Sequence, residues 1–510
     1  MALINSTISC IMKKRIQQIE YFKTNPHKVQ SELFKKLIDE AKNTEWGKKY
    51  HYNSINNYDE FKNSVPVSTY ENLKKYIYRI QNGEQNILWN SKIELFAKSS
   101  GTTNSKSKFI PLSNESLFNC HFKGGKDLLS AYFKNYPDSQ MFDGKGIAMI
   151  GKYDTVKTKK HNYYVGDLSA LMLNKFPPWI QYARTPQRKT VLLHEWESKI
   201  EQMAQQTINV NVTNLSGVPS WILLFLKRVL TITGKNNILE VWPNMEAFFH
   251  GGVNFSPYLD QYKQLIPSAK MRYINTYNAS EGFFGIQDKI DSDELLLFLD
   301  HGIFYEFMPL NQLGKENPKT YQLNEIEIGN NYAMIISTNG GLWRYIIGDT
   351  VEFTSLNPFR IKITGRTQNF INAFGEEIII ANAEKALASA CKKTKAIINE
   401  YTAGPIYFNK NENAAHEWLI EFETQPNNLN LFTETLDNCL KSLNSDYEAK
   451  RYHDMILHKP IINILPKDTF YNWLKIRGKL GGQNKVPRLA NNRKYIEEIL
   501  ELSKSKTINK

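Results

Sequence analysis

Long hydrophobic runs are missing from this 510-residue chain. Its densest apolar patch, Trp221 to Leu226, ends at Lys227-Arg228, far short of the ~18–20 residues that cross a bilayer. Cysteine is scarce: Cys10, Cys120, Cys391 and Cys439 lie far apart and no C-x-x-C occurs, so neither a zinc site nor a disulfide framework is indicated. No apolar segment followed by a small-residue cleavage site opens the chain, so secretion by that route is not expected and a reducing cytoplasm fits. Internal repeats are absent too. Acidic residues are outnumbered, 51 against 64 Lys and Arg, for a net charge of +13. No nucleic-acid module accompanies that excess, and its densest cluster, Lys157 to Lys160, is short and lies between Tyr153 and Tyr163. We read the charge as lysines spread over solvated faces. The expected partners then include neither nucleic acid nor a membrane, although a positive field attracts an anionic nucleotide.

What is present is the composition of an ordinary globular protein, 41% hydrophobic and 23% charged, long enough for two or more domains. Residues 11–50 carry apolar positions at helical spacing (Ile16, Ile19, Phe22, then Phe34, Leu37, Ile38, Ala41), predicting packed amphipathic helices. From about residue 93 to 365 strand-like runs alternate with helical ones: Ile93–Ala97, Gly146–Ile150, Arg272–Thr276, Leu295–Leu299, Tyr332–Ser337 and Phe359–Ile363, with a buried helix over Trp221–Leu230. This predicts an α/β fold: a large layered N-terminal domain, residues 1–366, with mixed sheets and packed helices. After Arg366 the pattern restarts with a helix around Ala381–Cys391 and strands at Ala396–Tyr401, Trp418–Phe422 and Ile461–Leu465. Helices at Leu431–Leu443 and Thr469–Ile476 complete a smaller α+β C-terminal domain, residues 367–510.

Four segments carry chemistry. Ser99 to Pro111, SSGTTNSKSKFIP, lies between two apolar runs; its small residues can wrap N–H groups and hydroxyls around phosphate while Lys106 and Lys108 add charge. It lacks the glycine that a Walker loop places before lysine, and the same composition serves an ordinary turn. Tyr277-Asn278-Ala279-Ser280-Glu281-Gly282 follows a strand: tyrosine can stack on a base, serine can reach phosphate, and a carboxylate can hold Mg²⁺. A strand-to-loop junction with Tyr277 in the core fits equally. Asp349, ending an apolar strand after Gly348, suits both ribose hydroxyls, or a plain turn. Gly365-Arg366-Thr367-Gln368 sits at the domain boundary, where arginine can contact a nucleotide and polar residues can absorb a rotation, or form a linker.

In order and spacing these segments resemble the adenylate-forming superfamily, and more closely the auxin-responsive acyl-acid–amido synthetases of plants and their bacterial relatives. The closer resemblance rests on SSGTTNSKSKFIP, WPNMEAFFHGG (Trp242–Gly252), TYNASEG (Thr276–Gly282), WRYIIGD (Trp343–Asp349) and GGQNKVPRL (Gly481–Leu489), which together span nearly the whole chain. It implies an enzyme that adenylates a carboxylic acid with ATP and Mg²⁺ and transfers the acyl group to the amine of an amino acid. Both substrates are small molecules, and a cytoplasmic monomer is expected.

The same resemblance implies that Ser99, Ser100, Thr102 and Thr103 hold ATP phosphates. Tyr277 would stack on adenine, Ser280 touch the α-phosphate, Glu281 hold Mg²⁺, Asp349 bind the ribose with Arg366 assisting, and Lys485 arrive on a mobile C-terminal domain. Ser105 replaces a second glycine of the family loop, and Gln368 replaces the superfamily's hinge aspartate. An acyl-CoA ligase with the same first step and a nucleotide-binding protein without turnover are the competing readings; the GGQNKVPRL ending favours the amide. His250, His301, His453 and His458 stay outside the catalytic set, and Phe118, Phe122, Trp179, Trp221 and Phe225 serve equally as acyl-pocket walls or core.

Overall fold

The computed structural model describes residues 14–99, 108–158, 161–176, 178–252, 255, 258–367, 370–371, 373–376, 378–407, 414–452, 456–477 and 486–508. Among these, the main body is one mixed eleven-stranded sheet. Its order is Ile303–Pro309, Asn331–Thr338, Tyr345–Leu356, Phe359–Arg366, Leu295–Leu297, Gly282–Ile286, Arg272–Ala279, Ala247–Gly251, Val212–Gly217, Lys145–Ala148, Arg184–Thr185. The first seven strands pair antiparallel. From Arg272–Ala279 onward the pairing is parallel. Parallel strands are normally covered on both faces, and Ala247, Phe248, Phe249 and His250 are accordingly all buried in sequence. The helix Pro219–Thr233 packs on the Val212–Gly217 strand; proline begins it and Gly234, at φ 64°, ends it.

A smaller four-stranded sheet is ordered Lys108–Leu112, Leu95–Ser99, Asn162–Gly166, Tyr153–Lys157. The N-terminal helices expected from the spacing are present, residues 14–24 and Pro26–Ala41, with Phe22 on Phe298 and Phe34 on Phe304. Toward the C-terminus, Ile397–Ile406, Ala415–Thr424 and Ile461–Leu465 form a three-stranded sheet beside helices Ile380–Thr394 and Leu429–Leu443. The expected α/β body with a smaller α+β C-terminal layer is therefore the observed architecture. Trp418 and Ala383 of that layer share one apolar cluster with Trp242 and Phe225 of the body.

Two strand placements differ from expectation. Tyr277 does not follow the strand that begins at Arg272 but lies inside it, because the strand continues to Ala279 to pair with Gly282–Ile286. Asp349 does not end a strand; it lies near the start of Tyr345–Leu356, which continues because Phe359–Arg366 returns along it.

Arg344 joins the helical layer to the sheet. Its guanidinium is 3% exposed and places Nε 3.0 Å from both Glu306 carboxylate oxygens, and Nη2 2.7 Å from Oε1 and 2.8 Å from Thr320 Oγ1. Nη1 donates to the carbonyls of Lys62 (2.9 Å) and Val65 (2.6 Å), so all its N–H groups are used. Tyr58 donates to the same carboxylate at 2.9 Å. Arg344 itself is left-handed at φ 44°, a cost that this network offsets. Removing one partner of a buried pair strands the other, so Arg344→Met is expected to lower unfolding free energy by ~3–5 kcal/mol in urea titration. A loss below ~1 kcal/mol, the scale of a surface pair, would show that the network is not a structural anchor.

Candidate active site

The antiparallel half of the main sheet carries the expected site residues that fall on strands or their turns. The Tyr277 ring is buried, packed on Phe284 at 4.8 Å, and its hydroxyl donates to Asp349 Oδ2 at 2.6 Å. Asp349 is half-buried and is the cross-strand register partner of Arg366. Gly348, at φ 97°, precedes Asp349, and its carbonyl accepts from Thr367 N at 2.7 Å, holding the two strand ends together. Tyr277, Asp349 and the Arg366 backbone thus share one corner, although 72 residues separate the first two.

Ser280 and Glu281 form the two-residue turn of the hairpin between Arg272–Ala279 and Gly282–Ile286. That turn is braced from behind by the helical segment that leaves the Lys108–Leu112 strand. Gly124 of this segment lies so close to the hairpin that a Cβ there would meet the Phe283 ring at 2.3 Å. The preceding π-helical turn, Leu117–His121, contributes His121 Nδ1 at 3.1 Å from Asn278 Oδ1 and Cys120 Sγ as acceptor for Phe283 N. π-Helical turns recur at functional positions, and no sequence pattern announced this one. Ser99 pairs with Lys108 as the last rung of the antiparallel strands that flank the expected phosphate loop. Ser100, Thr102, Thr103, Ser105, Gln368, His453 and Lys485 lie outside the described residues.

The remaining candidates sort by burial. Phe225 is core, stacked on Trp242, whereas Phe118 is exposed beside Phe122, which meets Phe176 under the Arg184 guanidinium. His250 is buried on Phe255, ring centroids 3.9 Å apart, and its Nδ1 has no hydrogen-bond partner among the described residues. His301, in the bend between Leu295–Leu297 and Ile303–Pro309, is fully buried between Asp127 (3.2 Å) and Asp300 (3.1 Å). The Arg15 guanidinium and the Lys123 ammonium contact the same carboxylates. Those cations already neutralise the cluster and bind the N-terminal helix to the body.

The structure of AtGH3.15 acyl acid amido synthetase in complex with 2,4-DB matches with a TM-score of 0.62 at 18% identity, covering 97% of this chain and 96% of that one. The fold is that of the acyl acid amido synthetases. The GH3 family N-terminal domain matches residues 15–271, its central domain residues 296–366 and its C-terminal domain residues 381–494, so the chain belongs to the GH3 family. Among curated relatives, indole-3-acetic acid-amido synthetase GH3.3 of Arabidopsis thaliana is 22% identical over 97% of this chain and 94% of its own length. The 4-substituted benzoates-glutamate ligase GH3.12 of the same plant is 22% identical over 95% and 96%.

Burial pushes His121 down to about 4 and His250 to about 3. In the unfolded chain each protonates near ~6.5, so between these values the unfolded state binds more protons. Their contribution is complete above pH ~6.5 and is lost as pH falls, by ~1.4 kcal/mol per unit per histidine. Denaturation midpoints should drop from pH ~7 to ~5, with His250→Asn flattening the slope; identical slopes would remove His250 from this account.

Proposed function

We propose that this protein is an ATP-dependent acid–amino acid ligase. The carboxylate oxygen of a small acid attacks the α-phosphorus of ATP, the bond to the β-phosphate breaks, and pyrophosphate leaves with the electron pair. The amine nitrogen of an amino acid then attacks the acyl carbon, the carbon–oxygen bond to AMP breaks, and the nitrogen gives up its extra protons as the amide forms. The observation that carries this reading is the Tyr277–Asp349 hydrogen bond beside the Arg366 backbone, a base-and-ribose corner one hairpin turn from Ser280 and Glu281. Membership of a family whose curated relatives are amido synthetases supports it.

In this reading Asp349 accepts from both ribose hydroxyls, the Tyr277 ring edge supports adenine, and Ser280 donates to the α-phosphate. Ser99, Ser100, Thr102 and Thr103 hold the phosphates, with Arg366 assisting at the ribose. Glu281 offers the hard oxygen donor that Mg²⁺ takes, and Mg²⁺ held there supplies charge neutralisation for pyrophosphate. Lys485, on a mobile C-terminal domain beginning near residue 367, neutralises charge developing at the α-phosphate. In this reading the enzyme acts on small molecules in the cytoplasm as a monomer; among the described residues no helix is long and apolar enough to cross a membrane.

Pyrophosphate release with a panel of carboxylic acids, with and without amino acids or CoA, tests the reading. No acid-dependent pyrophosphate excludes the enzyme, and thioester without amide converts it to an acyl-CoA ligase. Lys485→Ala should slow adenylation by ~10²–10³-fold, the scale of losing one stabilising donor. Glu281→Gln should abolish Mg²⁺-dependent adenylation while leaving the denaturation midpoint unchanged; near-normal turnover removes Glu281 from the metal role.

A further inference from the structure

Asn278, the residue after Tyr277 in TYNASEG, is exposed on the strand Arg272–Ala279, yet its side chain is held from within the protein. His121, 1% exposed, stands with Nδ1 3.1 Å from Asn278 Oδ1. An amide oxygen only accepts, so Nδ1 carries the proton and donates. Burial pushes His121 down to about 4, so the donor is a neutral ring. With Oδ1 occupied, the Asn278 amide is left with Nδ2 as its open end, which has no partner among the described residues.

Two departures from regular structure converge on this contact. The π-helical turn Leu117–His121 interrupts its helical segment and carries both Cys120 and His121. Opposite it, the hairpin register shifts between Phe283 and Gly285, and Phe283 is the cross-strand partner of Asn278. Phe283 N donates to Cys120 Sγ at 3.2 Å, and Gly124 lets the helical segment approach until a Cβ would touch the Phe283 ring. Widened helical turns and strand bulges each disrupt regular hydrogen bonding, and both recur where a side chain has to be aimed. Here both lie against one exposed amide.

Side chains alternate along a strand, so Asn278 faces away from the side on which Tyr277 meets Asp349. It stands off the base-and-ribose corner, yet Ser280 follows only two residues, ~7 Å of strand, further on. The acid must bring its carboxylate to the phosphorus that Ser280 contacts, from the side away from the leaving pyrophosphate. Resting on the ligase reading above, we propose that Asn278 is a contact for the acid: its Nδ2 donates to the carboxylate oxygen that does not attack, and His121 is the positioning residue that fixes the amide for it. One oxygen so held leaves the other directed at the phosphorus. A neutral donor suits that task, because a full positive charge would stabilise the carboxylate before the attack and withhold its electron pair. Asn278 is exposed, so the acid reaches it without passing through the core.

The test uses the carboxylic acid of the panel that supports the most pyrophosphate exchange, with acid and ATP varied separately. Asn278→Ala removes the donor from an exposed position. It should lower kcat/KM for the acid by ~10–10²-fold, the scale of a hydrogen bond to a charged group, while KM for ATP stays within ~2-fold. His121→Leu should reproduce most of that loss, and His121→Asn, which returns a donor at the Nδ1 position, should recover part of it. Combined with Asn278→Ala, His121→Leu should add almost nothing, since its effect passes through the amide; a purely structural histidine would add its own loss. Additive losses in the double variant overturn the positioning role of His121. A loss in Asn278→Ala that falls on the ATP KM instead overturns the acid contact. If His121→Leu does not fold, Asn278→Ala and His121→Asn still decide. Absence of acid-dependent exchange in the wild type overturns the ligase reading and the contact together, whereas exchange that Asn278→Ala leaves intact overturns the contact alone.

Discussion

A single buried guanidinium sets the frame in which the site is assembled. Arg344 has every N–H committed, to Glu306 and Thr320 on one side and to the carbonyls of Lys62 and Val65 on the other. One strand of the sheet, one helical layer and the start of Tyr345–Leu356 are thereby fixed relative to each other, and Asp349 follows five residues later on that strand. In a low-dielectric interior a half-paired arginine is far costlier than none, so the contacts stand or fall together. The left-handed backbone at Arg344 shows which way the balance runs: local strain is tolerated because the network overrides it.

Beyond that anchor, the two halves of the sheet carry different parts of the molecule. Antiparallel neighbours can be joined by tight turns, which is why Ser280 and Glu281 can sit at a two-residue hairpin tip while Tyr277 and Asp349 meet across the sheet. Parallel neighbours need helical crossovers, and one of those helices carries Trp221 to the face on which the C-terminal layer docks. Nucleotide chemistry and the surface that receives Lys450 therefore arise from the two halves of one sheet.

Much of this was legible in the chain. Ile461–Leu465 and Thr469–Ile476 coincide with the observed elements because each carries its own period and stop signals. Strand ends were less legible. Tyr277 and Asp349 were assigned to junctions, yet both lie within strands, because a strand extends as far as its neighbour supplies hydrogen bonds, and the neighbour is distant in sequence. The burial of His301, which lies in a bend between two strands, was not legible either, because it depends on Asp127 and Arg15, which are remote in the chain.

The order and spacing of SSGTTNSKSKFIP, TYNASEG, WRYIIGD and GGQNKVPRL by themselves determined the fold class, the family and the chemistry to expect, since each motif brings its own donors and acceptors wherever it is placed. Only the tertiary structure decided which charges lose their water. Lys450 is one example: it is 1% exposed because its helix docks against Trp221 of the body. Desolvation is a property of what surrounds a group, and those surroundings are contributed by segments more than two hundred residues apart.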